Sequence, residues 1–362
     1  MDPAEITTMP TGARPSFGQR PAPTHWLVRV VRVRESFLIA MLVVITLAMA
    51  GWDIYSHGVN DLRFLSSTNL QAVLLGFAME AIVVIGMTML LVSGGFDLSV
   101  GANMAFSGMV AAQLLRFGLP LTIELPLGIA IPFAVPLAIL AGLAVGVVIG
   151  LLNAGIIAKV GVNALIATLG TMTVVRGVAL TIWAGQPVLN LPAAFRDNIG
   201  QGVVGIIPVP AVILIVLTIV FDILMRRGRW FRQLYFVGGS EKAARLSGIN
   251  VTRVRVITYV AAAVMAALAG VISTSRLGAG YPNSYEPTAL RVISGSVIGG
   301  CSLFGGEGTV IGSVLGLFFI YLLMNMMVML GISPYAQGIV QGVALILAVV
   351  FDIWTKRQAA RG

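Results

Sequence analysis

The chain has 362 residues, of which 58% are hydrophobic and only 10% charged, with a formal net charge of +9. A soluble domain carries about 25% charged residues, so this composition excludes a water-soluble body of this size. The positive balance does not indicate nucleic acid, because the basic residues cluster near the ends of apolar runs, as membrane orientation requires.

Residues 1–35 are polar and rich in proline and arginine, and are expected to be a disordered tail. The run from Ser36 to Tyr55 is too long for a signal h-region and ends in Gly51-Trp52-Asp53, without a small-residue cleavage pattern, so it reads as a first span. A span needs roughly 20 apolar residues. On that measure ten candidates follow, over 36–55, 71–92, 98–116, 126–150, 163–183, 205–224, 254–275, 288–300, 309–330 and 336–354. The fourth runs on to Ala158, with room for an extra half-helix, and the eighth is short and polar. The fold class predicted is all-α and polytopic, with a transmembrane region over 36–354, a polar loop over 225–255 and a tail over 355–362.

Lysine and arginine orient the bundle. The N-terminal tail, the Lys159 loop, the loop from Met225 to Arg255 and the C-terminal tail hold 17 of them, against four (Arg63, Arg116, Arg196, Arg276) in the intervening loops. That asymmetry predicts both termini in the cytoplasm.

Glycine-rich turns follow the second and eighth spans. Gly94-Gly95-Phe96-Asp97-Leu98-Ser99-Val100-Gly101 and Gly299-Gly300-Cys301-Ser302-Leu303-Phe304-Gly305-Gly306 align with Gly95 on Gly300 and Gly101 on Gly306. Matching breaks in two halves mark the working centre of many transporters; chance recurrence of glycine is the plain alternative. Asp97 stands where an N-cap for the third span is needed. Gly94, Gly95, Asp97, Gly101, Gly300, Gly305 and Gly306 are therefore the candidate gate or hinge turns.

The Met225–Arg255 loop contains a second kind of signal. Gly238 and Gly239 break the chain, Ser240 is a candidate N-cap and Gly248 a candidate stop. The short helix between them is too short to span. Glu241 and Arg245 are four apart in the favourable order, and Ala243 and Ala244 leave a face that a partner can approach closely. A solvated surface turn would look similar. Arg226, Arg227, Arg229 and Arg232 nearby suit either a docking partner or anionic lipid.

Two ionisable residues lie deep within spans, where charge is costly. Glu80 in the second and Arg176 in the fifth fall at similar depths, which predicts a Glu80–Arg176 pair; the alternative has Arg176 reaching outward and Glu80 neutral and hydrogen-bonded. Arg291 is expected at the outer interface. Asn103, Thr168, Thr171 and Asn325 join Glu80 and Arg176 as candidate pathway residues, able to bond either a neutral solute or a neighbouring helix. Cys301 is the single cysteine, and His25 and His57 are the only histidines, so neither metal chemistry nor a catalytic centre is expected.

Several motifs in order resemble one family over about residues 66–352. They are Gly86-Met87-Thr88, Ser93 to Gly101, Ala167-Thr168-Leu169-Gly170-Thr171-Met172, Arg176-Gly177, Gly185-Gln186-Pro187, Ala243 to Asn250, and Gly299 to Gly306. Together they resemble the permease subunits of ATP-binding-cassette importers, closest to the ribose-type (carbohydrate uptake) family. The resemblance implies a coupling helix at Ser240, Glu241, Ala243, Ala244, Arg245, Leu246 and Gly248 that docks on a separate ATPase. It further implies a second permease copy, an extracytoplasmic solute-binding protein, a bacterial inner-membrane location and a monosaccharide or polyol as solute. ATP and magnesium would sit on the partner, since no G-x-x-x-x-G-K-[ST] loop occurs in this chain. The chain departs from the family where Tyr285-Glu286-Pro287-Thr288 replaces a stretch often reading Tyr-Glu-Leu-Asp, and where Asn325 stands among methionines. A secondary transporter or channel working alone is the alternative, but few membrane carboxylates are present for a coupling-ion site.

Overall fold

A computed structural model describes residues 24–58, 62–117, 122–125, 129–132, 134–205 and 207–359. The expected disorder of the first residues falls largely outside them. Helix α1 (Thr24–His57) begins well before Ser36. It is followed by α2 (Ser67–Val92) and α3 (Val100–Phe117), then a short antiparallel hairpin of β1 (Thr122–Leu125) and β2 (Ile129–Pro132). Next come α4 (Ala134–Ala154), running through a π turn to Val160, and α5 (Ala164–Ile182). Beyond the short α6 (Ala193–Phe195) and a second hairpin, β3 (Val203–Val204) with β4 (Ile207–Pro208), lies α7 (Val209–Arg227). The remaining elements are α8 (Arg232–Gly239), α9 (Glu241–Leu246), α10 (Val251–Leu277), α11 (Thr288–Ile298), α12 (Val310–Met329) and α13 (Pro334–Ala359).

Seven helices among the described residues are long and apolar enough to cross a membrane: α1, α2, α4 with its π turn, α5, α7, α10 and α12. The expected spans at 98–116, 288–300 and 336–354 are not among them. Helix α11 has only 11 residues, and among the described residues of α13 an apolar stretch covers Tyr335–Leu347. Within the expected fourth span, residues 129–132 pair as strand β2 and α4 starts at Ala134, because hydropathy does not separate an apolar strand from an apolar helix.

The core is built around α2 and α10, whose apolar windows are 83% and 67% buried, against 17% for α1. Lipid tails are as apolar as leucine, so burying apolar surface does not hold such helices together; close backbone packing does. Small residues allow it. A Cβ on Gly150 of α4 would lie 2.6 Å from the Val260 Cα, and one on Gly270 of α10 would collide with the Met104 carbonyl oxygen. Helix α10 is thereby clamped between α3 and α4.

The bundle has two distinct ends. At one, Asn69 at the start of α2 meets Asn325 near the end of α12, and Trp183 after α5 donates to Gln113 near the end of α3. At the other lie the α2–α3 turn, the α4–α5 turn, α8, α9 and the α11–α12 turn.

Candidate functional site

The α8–α9 segment forms by local rules. Ser240 is extended (φ −162°) and its hydroxyl accepts the Ala243 amide at 3.3 Å, the N-cap the sequence called for. Just past the end of helix α9 stands Gly248 (φ +79°), where the Gly248 amide donates to the Arg245 carbonyl and the Ile249 amide to Ala244, a left-handed stop open to glycine without strain. Ala244 is buried against the bundle, whereas Ala243 is exposed and Leu246 is 83% exposed. The short helix therefore stands on Ala244 and offers Ala243 and Leu246 outward.

Glu241 pairs with Arg245 at 2.8 Å, as the i, i+4 spacing predicts, and also with Arg255 near the start of α10. The hydrogen bond from Arg245, with Arg255 beside it, holds the Glu241 carboxyl below its ordinary range. Both pairs are partly exposed, so each adds under about 1 kcal/mol; their consequence is directional, tying α9 to the central helix.

The three glycine-rich segments meet at one point. Beside Gly238, at the end of α8, a Cβ would collide with the Val92 carbonyl oxygen and lie 2.6 Å from the Gly306 amide nitrogen. That amide donates to Val92 at 2.9 Å, joining the two turns directly. A Cβ on Gly94 would sit 3.6 Å from the Gly238 Cα, and one on Gly305 2.7 Å from the Gly238 carbonyl oxygen. Tyr235 donates to the Gly308 carbonyl at 3.0 Å. Gly238→Ala should therefore cost about 1–3 kcal/mol, since backbone atoms cannot move aside. Thermal unfolding in detergent checks this, and an unchanged midpoint would show that the turns are not packed together.

The register of the repeat is corrected by one residue. Gly94 (φ +79°) and Gly300 (φ +99°) are the equivalent positions. Gly94 and Gly95 donate to Leu91 and Leu90, as Gly300 and Cys301 donate to Val297 and Ser296. Both helices thus stop by the same left-handed turn, and Gly95 matches Cys301 rather than Gly300. Asp97 is not the N-cap of α3. Its carboxylate accepts the Ser99 amide at 2.7 Å and hydroxyl at 2.6 Å, and Asn153 of α4 at 3.2 Å. Burial raises its carboxyl above the ordinary range, against these hydrogen bonds. Gly101 stands apart from the meeting point. Its Cβ would collide with the Tyr285 carbonyl oxygen, so its lack of a side chain admits the segment before α11.

A cleft of about 300 Å³ opens beside this region, lined by Gly94, Phe96, Gly161, Asn163, Arg255 and Tyr259. It brings the α2–α3 and α4–α5 turns to the root of α10, next to the Glu241–Arg255 pair.

The candidate pathway residues do not form one cluster. The Glu80–Arg176 pair is absent. Glu80 is bound by Arg291 at 2.8 Å and Thr288 at 2.9 Å, and Arg176 by Glu286. Arg291 accordingly does not reach the interface but turns inward, 6.0 Å above the Tyr321 ring. Asn103 donates to the Ala263 carbonyl and accepts from Ser107, and Thr168 donates to its own Ala164, so both serve helix packing. Thr171 is buried. Asn325 and Asn69 exchange two amide hydrogen bonds, 3.0 and 2.8 Å. Reasoning from sequence missed Thr288, Glu286, Asn69, Asn153 and Arg255. The one available signal was that each deep charge requires a partner.

A family model described as "Branched-chain amino acid transport system / permease component" matches residues 69–349. The ribose import permease protein RbsC of Bacillus subtilis (strain 168) is 37% identical over 290 residues, covering 80% of this chain and 86% of that protein. The L-arabinose transport system permease protein AraH of Escherichia coli (strain K12) is 37% identical over 299 residues, covering 83% and 86%. The probable ABC transporter permease protein YphD of the same strain is 35% identical over 323 residues, covering 89% and 91%. No solved structure matches the chain.

Proposed function

The chain belongs to the branched-chain amino acid transport system / permease component family, and from that premise we propose how it works as the membrane-spanning permease subunit of an ATP-driven sugar importer. It is a multi-pass inner-membrane protein and a transport subunit rather than an enzyme. Such a system includes an ATPase and a solute-binding protein.

The observation that carries the mechanism is the junction at Gly238. Helix α9 stands outside the bundle, and the residues just before it touch both glycine turns at once. A push on α9 from a nucleotide-driven partner reaches α2 and α11 through that contact, and α10 through Glu241–Arg255. In this reading Ser240 to Gly248 is the ATPase-coupling element, and the turns at Gly94 and Gly300 are the hinges. The spans then switch between outward and inward openings as rigid units. ATP and magnesium are held by the partner.

The lysine and arginine asymmetry supports placing the α9 end and both termini in the cytoplasm. Ten passes fit that orientation if α3 and α13 cross and the stretch 278–298 makes a single pass, irregular in its outer half and helical in its inner half. Two copies of this chain form the pore. The named sugars of the relatives, ribose and arabinose, support an aldopentose or a related polyol as solute.

Vesicles containing the chain, its ATPase, the external binding protein and internal ATP should accumulate pentose, and vesicles lacking the ATPase should not. Accumulation by the chain alone would overturn the coupled mechanism in favour of a stand-alone transporter.

A further inference from the structure

We propose that the break before α11 and one face of α5 together line the solute path at mid-depth, with Arg176 and Glu286 forming a subsite for the hydroxyl groups of a neutral solute. The proposal rests on the importer reading above and adds to it the place and chemistry of solute contact.

Depth comes first. Eleven residues of α11 cover about 17 Å at 1.5 Å per residue. Its C-terminal end joins the Gly300 turn, so its first residue lies near the middle of a hydrocarbon layer about 30 Å thick. Thr288 meets Glu80, and Glu80 lies at a similar height, about 18 Å from the end of α2 at Val92. Arg176 is about 18 Å from the start of α5. Three independent helix lengths thus place Glu286 and Arg176 inside the hydrocarbon zone.

Exposure comes second. The chain from Tyr281 to Pro287 is not helical, Tyr285 has φ +68°, and Tyr281, Asn283, Glu286 and Pro287 are exposed. Irregular backbone at membrane depth is tolerated only where protein buries it or where it borders water. The Glu286 side chain is 60% exposed, and protein does not cover it here. A carboxylate open to lipid is costly, so this face turns toward the pore, where water and the second copy are its neighbours.

The adjoining face of α5 agrees. Gly170, Thr173, Gly177 and Thr181 are exposed along one side, and a Cβ at Gly170 or Gly177 would meet nothing within 4 Å. Leu169, Val174 and Val178 are exposed beside this strip, whereas helix α7 exposes Ile215, Val216, Ile219, Val220 and Ile223 with no glycine or threonine among them, an apolar surface suited to lipid. The strip of α5 through Gly170, Thr173, Gly177 and Thr181 is uncrowded, and Arg176 on its flank reaches Glu286 across the gap.

The pair is neutral as a unit. Its carboxylate accepts from hydroxyls and its guanidinium donates to hydroxyl oxygens, which suits an uncharged polyhydroxylated solute rather than an ion.

Single cysteines test the path in the full complex, in membrane vesicles. The native Cys301 is buried, and the unsubstituted chain supplies the baseline. Thiolate forms only where water reaches the thiol, so Thr173→Cys and Asn283→Cys should react with a charged, membrane-impermeant methanethiosulfonate at least about tenfold faster than Ile219→Cys. Equal rates at the three positions would overturn the proposal. Glu286→Gln should lower pentose uptake about tenfold with ATPase binding unchanged, as expected for loss of a charged hydrogen bond; undiminished uptake would remove the subsite. Coupled ATP hydrolysis by the same vesicles reports on the importer reading separately, so an active complex with unreactive cysteines would reject the path alone.

Discussion

Arg291→Met should destabilise the protein by about 3–5 kcal/mol, the cost of leaving a buried charge without its partner. Glu80 is 6% exposed in its side chain and sits in the centre of the most buried helix. Its carboxylate is held by the Arg291 guanidinium at 2.8 Å and the Thr288 hydroxyl at 2.9 Å, both from the first turn of α11. Methionine keeps most of the volume and removes only the charge. Only neutral hydroxyls, those of Thr288 and Tyr321, then remain to compensate a carboxylate in a low-dielectric bundle. The double variant Glu80→Gln with Arg291→Met should recover most of the loss, because it removes both charges. Thermal unfolding of the four proteins in detergent measures the cycle. If Arg291→Met unfolds within about 0.5 kcal/mol of the parent, as an interfacial arginine would, the pair does not anchor α11.

Leu246→Asp should leave the fold intact and remove ATPase docking. Leu246 is the last residue of α9 and is 83% exposed, while Ala244, two residues earlier, supplies the contact with the bundle. A substitution at such an exposed position changes stability by about 0.5 kcal/mol or less. At the centre of an interface the loss of an apolar anchor costs about 2–4 kcal/mol, or roughly thirty- to several-hundredfold in affinity. The aspartate adds a charge that the partner must desolvate. Binding of the purified ATPase to solubilised parent and variant gives the ratio, and unfolding of the variant gives the control. Equal affinities would show that α9 is not the docking element, and the proposed route of force through Gly238 would lose its origin.

The features read correctly from sequence are those decided within a few residues. The cap at Ser240 and the stop at Gly248 involve hydrogen bonds spanning at most five positions, so composition and spacing suffice. The Glu241–Arg245 pair follows from helical periodicity alone. The second partner of Glu241, Arg255, lies on another helix, and no local rule reaches it. The repeat was visible, but its register was not. Matching glycines by identity favours Gly95 with Gly300, whereas the backbone equates Gly94 with Gly300, because what recurs is a left-handed turn and its two hydrogen bonds. The sequence places Asp97 at a helix start, and α3 begins three residues later at Val100, within the margin by which sequence locates a helix boundary.

The amino-acid sequence by itself determined that this protein crosses a membrane repeatedly, which loop is basic, and where its helices stop, since hydropathy, charge and capping act locally. Only the tertiary structure decided who meets whom. Depth along a helix put Glu80 and Arg176 at the same height, yet two residues at one depth can face opposite sides of a bundle. Rotation about each helix axis, together with the non-helical stretch that delivers α11 to mid-depth, gave Glu80 to Arg291 and Arg176 to Glu286. Those rotations are set by close backbone packing at positions such as Gly150 and Gly270, a property of pairs of helices that no single one of them carries.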